Sequence, residues 1–332
     1  MRQAEPSIVF NSMWIQGVEK RYGHRSRALK SWPYLIATDC EFSSIRQQIE
    51  NWVAGLSETE RRKTIPNLHS RDNFWHAYHE LAVGNFLKKL GLQTEFEKRF
   101  DEQTPDWFAC SGDGSQSFMV EVLTANVPES IDSENKRLDD LTLRLGEIPL
   151  DFLLRISCGD NSVVRQLDPQ RSKRIARAVR MWLQIYNWQS KPRLCLNGFV
   201  FEVVQRNCGF PTVQYIRPAK GIYAAWTPLC KKIKEKVHKY KNLVTANKIP
   251  LVVAVAPGLE TYYSNFEIKK ILFGKVSVES PSGDGLFHEE PLLSGAFFIG
   301  LKGVEWTINH YSNPQAIFPL PENIFGKGSY AI

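Results

Sequence analysis

No stretch of this chain is apolar for long enough to span a bilayer, and its start lacks the basic-then-apolar pattern of a signal peptide. The expectation is a cytoplasmic protein with no membrane partner. Internal repeats and low-complexity tracts are also missing from its 332 residues. Six cysteines, Cys40, Cys110, Cys158, Cys195, Cys208 and Cys230, are scattered with no CxxC pair, which argues against a zinc ribbon and for reduced thiols. His76 and His79 precede Glu80 but are not four residues apart, as an HExxH zinc helix needs, so they read as packing or rim residues.

What is present is ordinary globular composition with a basic surplus. Hydrophobic residues make up 43% and charged residues 23%, so general disorder is not expected. The length fits one large α/β domain with an insertion, or two smaller domains. A formal charge of +7 and a pI near 9.0 suit a polyanionic partner without identifying one. Clustering sharpens the signal. Lys231, Lys232, Lys234, Lys236, Lys239 and Lys241 fall in one short segment, and Arg171, Lys173, Arg174, Arg177 and Arg180 crowd another, which reads either as a solvated helix face or as a contact with a nucleic-acid backbone.

The chain's most informative stretch is Thr104 to Asn126, TPDWFACSGDGSQSFMVEVLTAN. Turn residues between two β-prone runs predict a hairpin. Glu121 is the odd member, a carboxylate between two valines, costly to bury unless a cation or donor meets it. Asp106 can meet the same partner. Two carboxylates at adjacent strand ends repel each other and invite a divalent ion able to polarise a phosphate or activate a water.

Before the hairpin, Asp72 to Leu90 reads as a helix, capped by Asp72 and stopped by Gly91. It carries Glu80, with the small Ala77 and Gly84 on either side of it along one face. Gln93 to Phe100 supplies an intervening strand. Pro105-Asp106, fourteen residues, then Glu121-Val122-Leu123 resembles the signature of the PD-(D/E)xK nuclease superfamily, the restriction-endonuclease-like fold. Helix with glutamate, strand, Pro-Asp strand and Glu strand match that fold's αβββ opening. The departure is Leu123, which stands where the family has lysine, beside Glu121 on the same strand face.

Thr227 to Asn247 predicts a helix with the apolar stripe Leu229, Ile233, Val237, Tyr240 and Val244. Lys236 sits roughly 60° from the stripe's centre, nearest of the clustered lysines. Lys236 and Tyr240 have the i, i+4 spacing that the RecB-like branch of the superfamily fills with Gln and Tyr, so the resemblance implies that this amine replaces the missing motif lysine. Lys98 is a weaker substitute. Ile249 to Val255 reads as a strand buried on both faces.

The expected architecture is an α/β restriction-endonuclease-like αβββαβ core with a mixed sheet flanked by helices. Residues 1–71 form an N-terminal arm or helical extension, with 43–55 a capped helix and 56–69 a polar connection. Residues 72–126 open the core, 127–226 are an insertion, 227–256 close the core, and 257–332 are a C-terminal extension ending irregularly. Within the insertion, 130–146 and 168–187 read as helices, 150–157 and 197–205 as strands, and 207–226 as loop. A competing assignment closes the core with 130–157 instead. The resemblance implies a Mg²⁺- or Mn²⁺-dependent endonuclease acting on DNA, with RNA kept open, in prokaryotic restriction or genome defence. Glu80, Asp106 and Glu121 would hold the metal, with Lys236 and Tyr240 completing the catalytic set. Arg171, Lys173, Arg174, Arg177, Lys232 and Lys239 would contact the phosphate backbone. Double-strand cleavage would call for a homodimer. The competing functions are an inactive nucleic-acid-binding module of the same fold and a basic structural subunit.

Overall fold

A computed structural model describes residues 7–22, 31–125, 129–148, 153–160, 162–185, 193–205, 212–216, 226–257, 265–274, 276–277, 280–281, 285–302, 305–321, 324–325 and 329–331. The chain divides into two compact units. The first comprises Met1–Ile15, Trp32–Val127 and Tyr223–Ile332, and the second Gln16–Ser31 and Pro128–Ile222. Among the described residues no helix is long and apolar enough to cross a membrane.

In chain order the helices are α1 (Ser12–Tyr22), α2 (Trp32–Thr38), α3 (Ser43–Ala54), α4 (Glu58–His69), α5 (Phe74–Lys89), α6 (Glu129–Gly146), α7 (Ser162–Arg165), α8 (Pro169–Ile185), α9 (Trp226–Asn247), α10 (Asn265–Phe273) and α11 (Leu286–Glu289). The strands are β1 (Gln93–Phe96), β2 (Trp107–Cys110), β3 (Ser117–Ala125), β4 (Leu153–Cys158), β5 (Arg193–Leu196), β6 (Phe199–Gln205), β7 (Thr212–Ile216), β8 (Leu251–Pro257), β9 (Val276–Ser277), β10 (Ser280–Pro281), β11 (Leu293–Lys302), β12 (Glu305–Ser312) and β13 (Ser329–Ala331).

The first unit is built on a mixed sheet in the order β1-β2-β3-β8-β11-β12-β13. β1, β2 and β3 form an antiparallel meander, while β8 runs parallel to both β3 and β11. Strand alternation sends Phe118, Val120 and Val122 to one face, where they join Val252, Ala254 and residues of α3, α4 and α5 such as Ile49, Leu68 and Leu81. Met119, Leu123 and Ala125 go to the other face, against Leu229, Ile233, Val237, Tyr240 and Val244 of α9. The stripe expected on that helix is therefore its buried face.

The second unit has its own four-stranded sheet, β5-β6-β4-β7, covered by apolar residues of α6 and α8 such as Leu141, Leu145, Ile175 and Val179. β4 pairs with β6 and β7 there. β8, not β4, is the strand beside β3, with Met119 opposite Leu251 and Ala125 opposite Pro257.

Several local expectations need correction. The polar stretch 56–69 is not a connection but helix α4, started by a capping box in which Ser57 and Glu60 satisfy each other's backbone N–H groups. α5 is preceded by Asn73 without a side-chain cap, so Asp72 does not cap it. Gly91 does end it, at φ 79°. β7 falls within 207–226, expected as loop, and the rest of that stretch before Trp226 lies outside the described residues. Past 257 the chain adds β11, β12 and β13 to the main sheet, and Leu320 and Phe325 of the expected irregular end are buried.

Candidate active site

Glu121 sits mid-way along β3 on the face toward α9, and its side chain is only 2% exposed. Such a burial is tolerable because three groups from α9 converge on it. Lys236 donates to Oε1, Lys239 Nζ lies 3.5 Å from the same oxygen, and the Tyr240 hydroxyl donates to Oε2 at 2.7 Å. Leu123, two residues on, lies in the apolar cluster under the same helix. An amine reaches Glu121 from α9 while its own strand supplies none.

Asp106 immediately precedes β2, where the register pairs Trp107 with Val120. That places Asp106 beside Glu121, and its Oδ2 accepts the backbone N–H of Val122 at 2.6 Å. Burial, then the Glu121 charge, pushes its carboxyl up to about 7 against the help of that N–H and of Lys236 and Lys239.

Glu80 comes from α5. Its backbone carbonyl accepts the Trp107 indole N–H at 2.8 Å, which ties the helix to the strand that Asp106 leads. Gly84, one turn further along, is what admits that indole, since a Cβ there would lie 2.0 Å from the Trp107 ring. The space that Gly84 leaves on the Glu80 face of the helix is thus filled by the aromatic residue next to Asp106. Burial, followed by Asp106, Glu97 and Glu121, pushes the Glu80 carboxyl up to about 8. His76 Nε2 stands 3.1 Å from Glu80 Oε1.

The remaining groups respond in kind. Burial opposes the charge on Lys236, yet Glu121, Asp106 and Glu80 outweigh it and hold its pKa above the usual lysine value. The Tyr240 phenol is pushed far up by burial and by the Glu121 charge, so it acts as a donor at neutral pH. Lys239, expected on the phosphate backbone, reaches into this cluster, 2.6 Å from the Tyr240 hydroxyl. Lys98 belongs elsewhere, 2.9 Å from Glu95 and over the Phe108 ring.

The five expected catalytic residues, Glu80, Asp106, Glu121, Lys236 and Tyr240, thus form one electrostatically connected group. Arg171, Lys173, Arg174 and Arg177 lie on α8 in the second unit, the last three exposed, and Lys232 is half-buried on α9. Residues that pattern reading did not place at the site are Trp107, His76 and Thr104, whose carbonyl lies 3.0 Å from the Tyr240 hydroxyl. His76 had a signal in its i, i+4 relation to Glu80. Thr104 had none.

The donor set is all carboxylate oxygen, the chemistry that suits Mg²⁺ or Mn²⁺. Raised carboxyl pKa values at two of the three acids are the response expected of buried acids short of positive charge. Among the described residues, however, no group of three or more His, Cys, Asp or Glu is arranged as a metal-ion site. Lys236 and Tyr240 take the two oxygens of Glu121, and the Val122 N–H takes one of Asp106. Comparison with protein-family models, curated proteins and solved structures gives no match for this chain.

Proposed function

We propose that this protein is a metal-dependent endonuclease that hydrolyses phosphodiester bonds in DNA. One observation carries the reading: the buried Glu121 carboxylate meets a lysine and a tyrosine from a distant helix, with Asp106 and Glu80 beside it. Within the first unit, the element order α5-β1-β2-β3-α9-β8 and the strand order β1-β2-β3-β8, with β8 parallel to β3, support a restriction-endonuclease-like core. Prokaryotic restriction or genome defence is the role that such a core implies.

Glu80, Asp106 and Glu121 would hold Mg²⁺ or Mn²⁺, which supplies charge neutralisation of the phosphate and a more acidic water. The chain's own groups do the rest. Asp106 is fixed by the Val122 N–H, Glu121 is oriented by Tyr240, and Lys236 sets a positive charge against the Glu121 carboxylate. Arg171, Lys173, Arg174, Arg177 and Lys232 would take the DNA backbone without reading sequence. A homodimer would cut both strands.

A second reading, an inactive nucleic-acid-binding module, is favoured by the occupation of both Glu121 oxygens by Lys236 and Tyr240. Supercoiled plasmid with Mg²⁺ separates the two. The nuclease nicks it and Glu121→Gln does not, whereas pure protein inert on several DNA and RNA substrates rules the nuclease out.

A further inference from the structure

Lys236 and Lys239 are three residues apart on α9 and therefore share a flank of the helix. Both amines approach Glu121 Oε1, but differently. Lys236 is bonded to it and its side chain is 28% exposed, while Lys239 stands 3.5 Å away and is 49% exposed. One carboxylate needs one counter-charge, and Lys236 already provides it.

Lys239 is held by something else. Its amine donates to the Tyr240 hydroxyl oxygen at 2.6 Å and lies 4.4 Å from the centre of that ring. The phenol in turn has one proton and two acceptors in range, Glu121 Oε2 at 2.7 Å and the Thr104 carbonyl at 3.0 Å. Tyr240 thus fixes the position of the Lys239 amine without neutralising it. Lys239 still pairs with Glu121 Oε1 at 3.5 Å, but that oxygen is already bonded by Lys236, and with half of its side chain exposed the Lys239 ammonium at the rim of the acids can also take an anionic oxygen from solvent.

We propose that the two lysines divide the work. Lys236 is a positioning residue, the internal counter-charge of Glu121, and Lys239 is the catalytic amine that contacts a non-bridging oxygen of the phosphodiester. The assignment rests on the nuclease reading for its substrate, but its first test does not need cleavage.

The affinity of a fluorescent DNA duplex for the full chain is measured without metal over a series of salt concentrations. Lys239→Met is expected to lower the slope of log affinity against log salt by about 0.9, the value for one lost phosphate contact. Lys236→Gln should lower that slope by less than Lys239→Met does. If Lys236→Gln does not fold, Lys239→Met against the wild type decides alone. An unchanged slope in Lys239→Met overturns the proposal, and so does a wild type with no affinity for DNA. With Mg²⁺, single-turnover cleavage by Lys239→Met should fall about 100-fold or more, as for loss of a charge-stabilising donor. A full cleavage rate in that variant also overturns it. A wild type that binds DNA with the expected slope change but never cleaves it removes the hydrolytic function and leaves the Lys239 contact standing.

Discussion

The amine of Lys236 on α9 bonds the carboxylate of Glu121 on β3, 115 residues away in the chain. With the Tyr240 and Lys239 contacts to the same carboxylate, this pair ties the helix to the sheet within an otherwise apolar interface. Removing the amine leaves a carboxylate that is 2% exposed with Tyr240 and the more distant Lys239. Lys236→Met should therefore destabilise the protein by about 2–3 kcal/mol in urea unfolding, somewhat less than loss of a fully buried partner, because Lys236 is partly exposed. Glu121→Gln combined with Lys236→Met should recover part of that loss. A double variant as unstable as the sum of the singles would show that the two residues do not interact.

Gly84 is a position of close approach. Gly84→Ala would put a methyl group on the Trp107 indole, and the ring cannot retreat without breaking its bond to the Glu80 carbonyl. A loss of about 1–3 kcal/mol is expected, typical of overpacking. Trp107→Phe in the same background should relieve most of it, as read from melting temperatures.

Proton linkage gives a third prediction. Glu80 and Asp106 are raised to about 8 and about 7 in the folded protein, from ordinary values of 4.5 and 3.8. Between those limits the folded chain keeps protons that the unfolded chain has released, so their contribution to stability falls as pH rises. It is fully present below about pH 4 and gone above about pH 8. In chelator, the melting temperature of the wild type should drop over this window more than that of Glu80→Gln. Added Mg²⁺ should stabilise most at the alkaline end, where both acids are ionised. A wild-type curve that climbs from acid to alkaline in chelator, with Glu80→Gln following it, contradicts this account.

Lys173, Arg174 and Arg177 are exposed along α8. If they contact a phosphate backbone, replacing all three with alanine should weaken DNA binding equally for unrelated sequences and lower the salt slope by about 0.9 per lost contact. Binding and slope that do not change would make this face a solvated helix surface.

The hairpin and the approach of α9 were legible because both depend on short-range periodicity. Alternation along β3 fixes the face of Glu121, and a 100° step around α9 fixes Tyr240 and Lys236 near its buried edge. The reach of Lys239 into the cluster was not legible because helical angle describes where a Cα points, not how far a four-carbon side chain can bend back. Trp107 and Gly84 were missed as a pair because a side chain filling another element's gap leaves no trace in either local pattern. α4 escaped because it buries little beyond Thr64 and Leu68, so its capping box was its main signal. The strands after 257 were invisible as part of the main sheet because strand order is set by non-local pairing.

β3 is interior to the sheet, yet the strand that covers its second edge, β8, is made only after the whole of the second unit. Until then the growing chain exposes an unpaired backbone edge along Phe118, Met119, Val120 and Val122. Such an edge recruits other chains as readily as its own partner. Refolding from denaturant should therefore be slow and concentration-dependent in yield, and overproduction at high temperature should drive the protein into inclusion bodies.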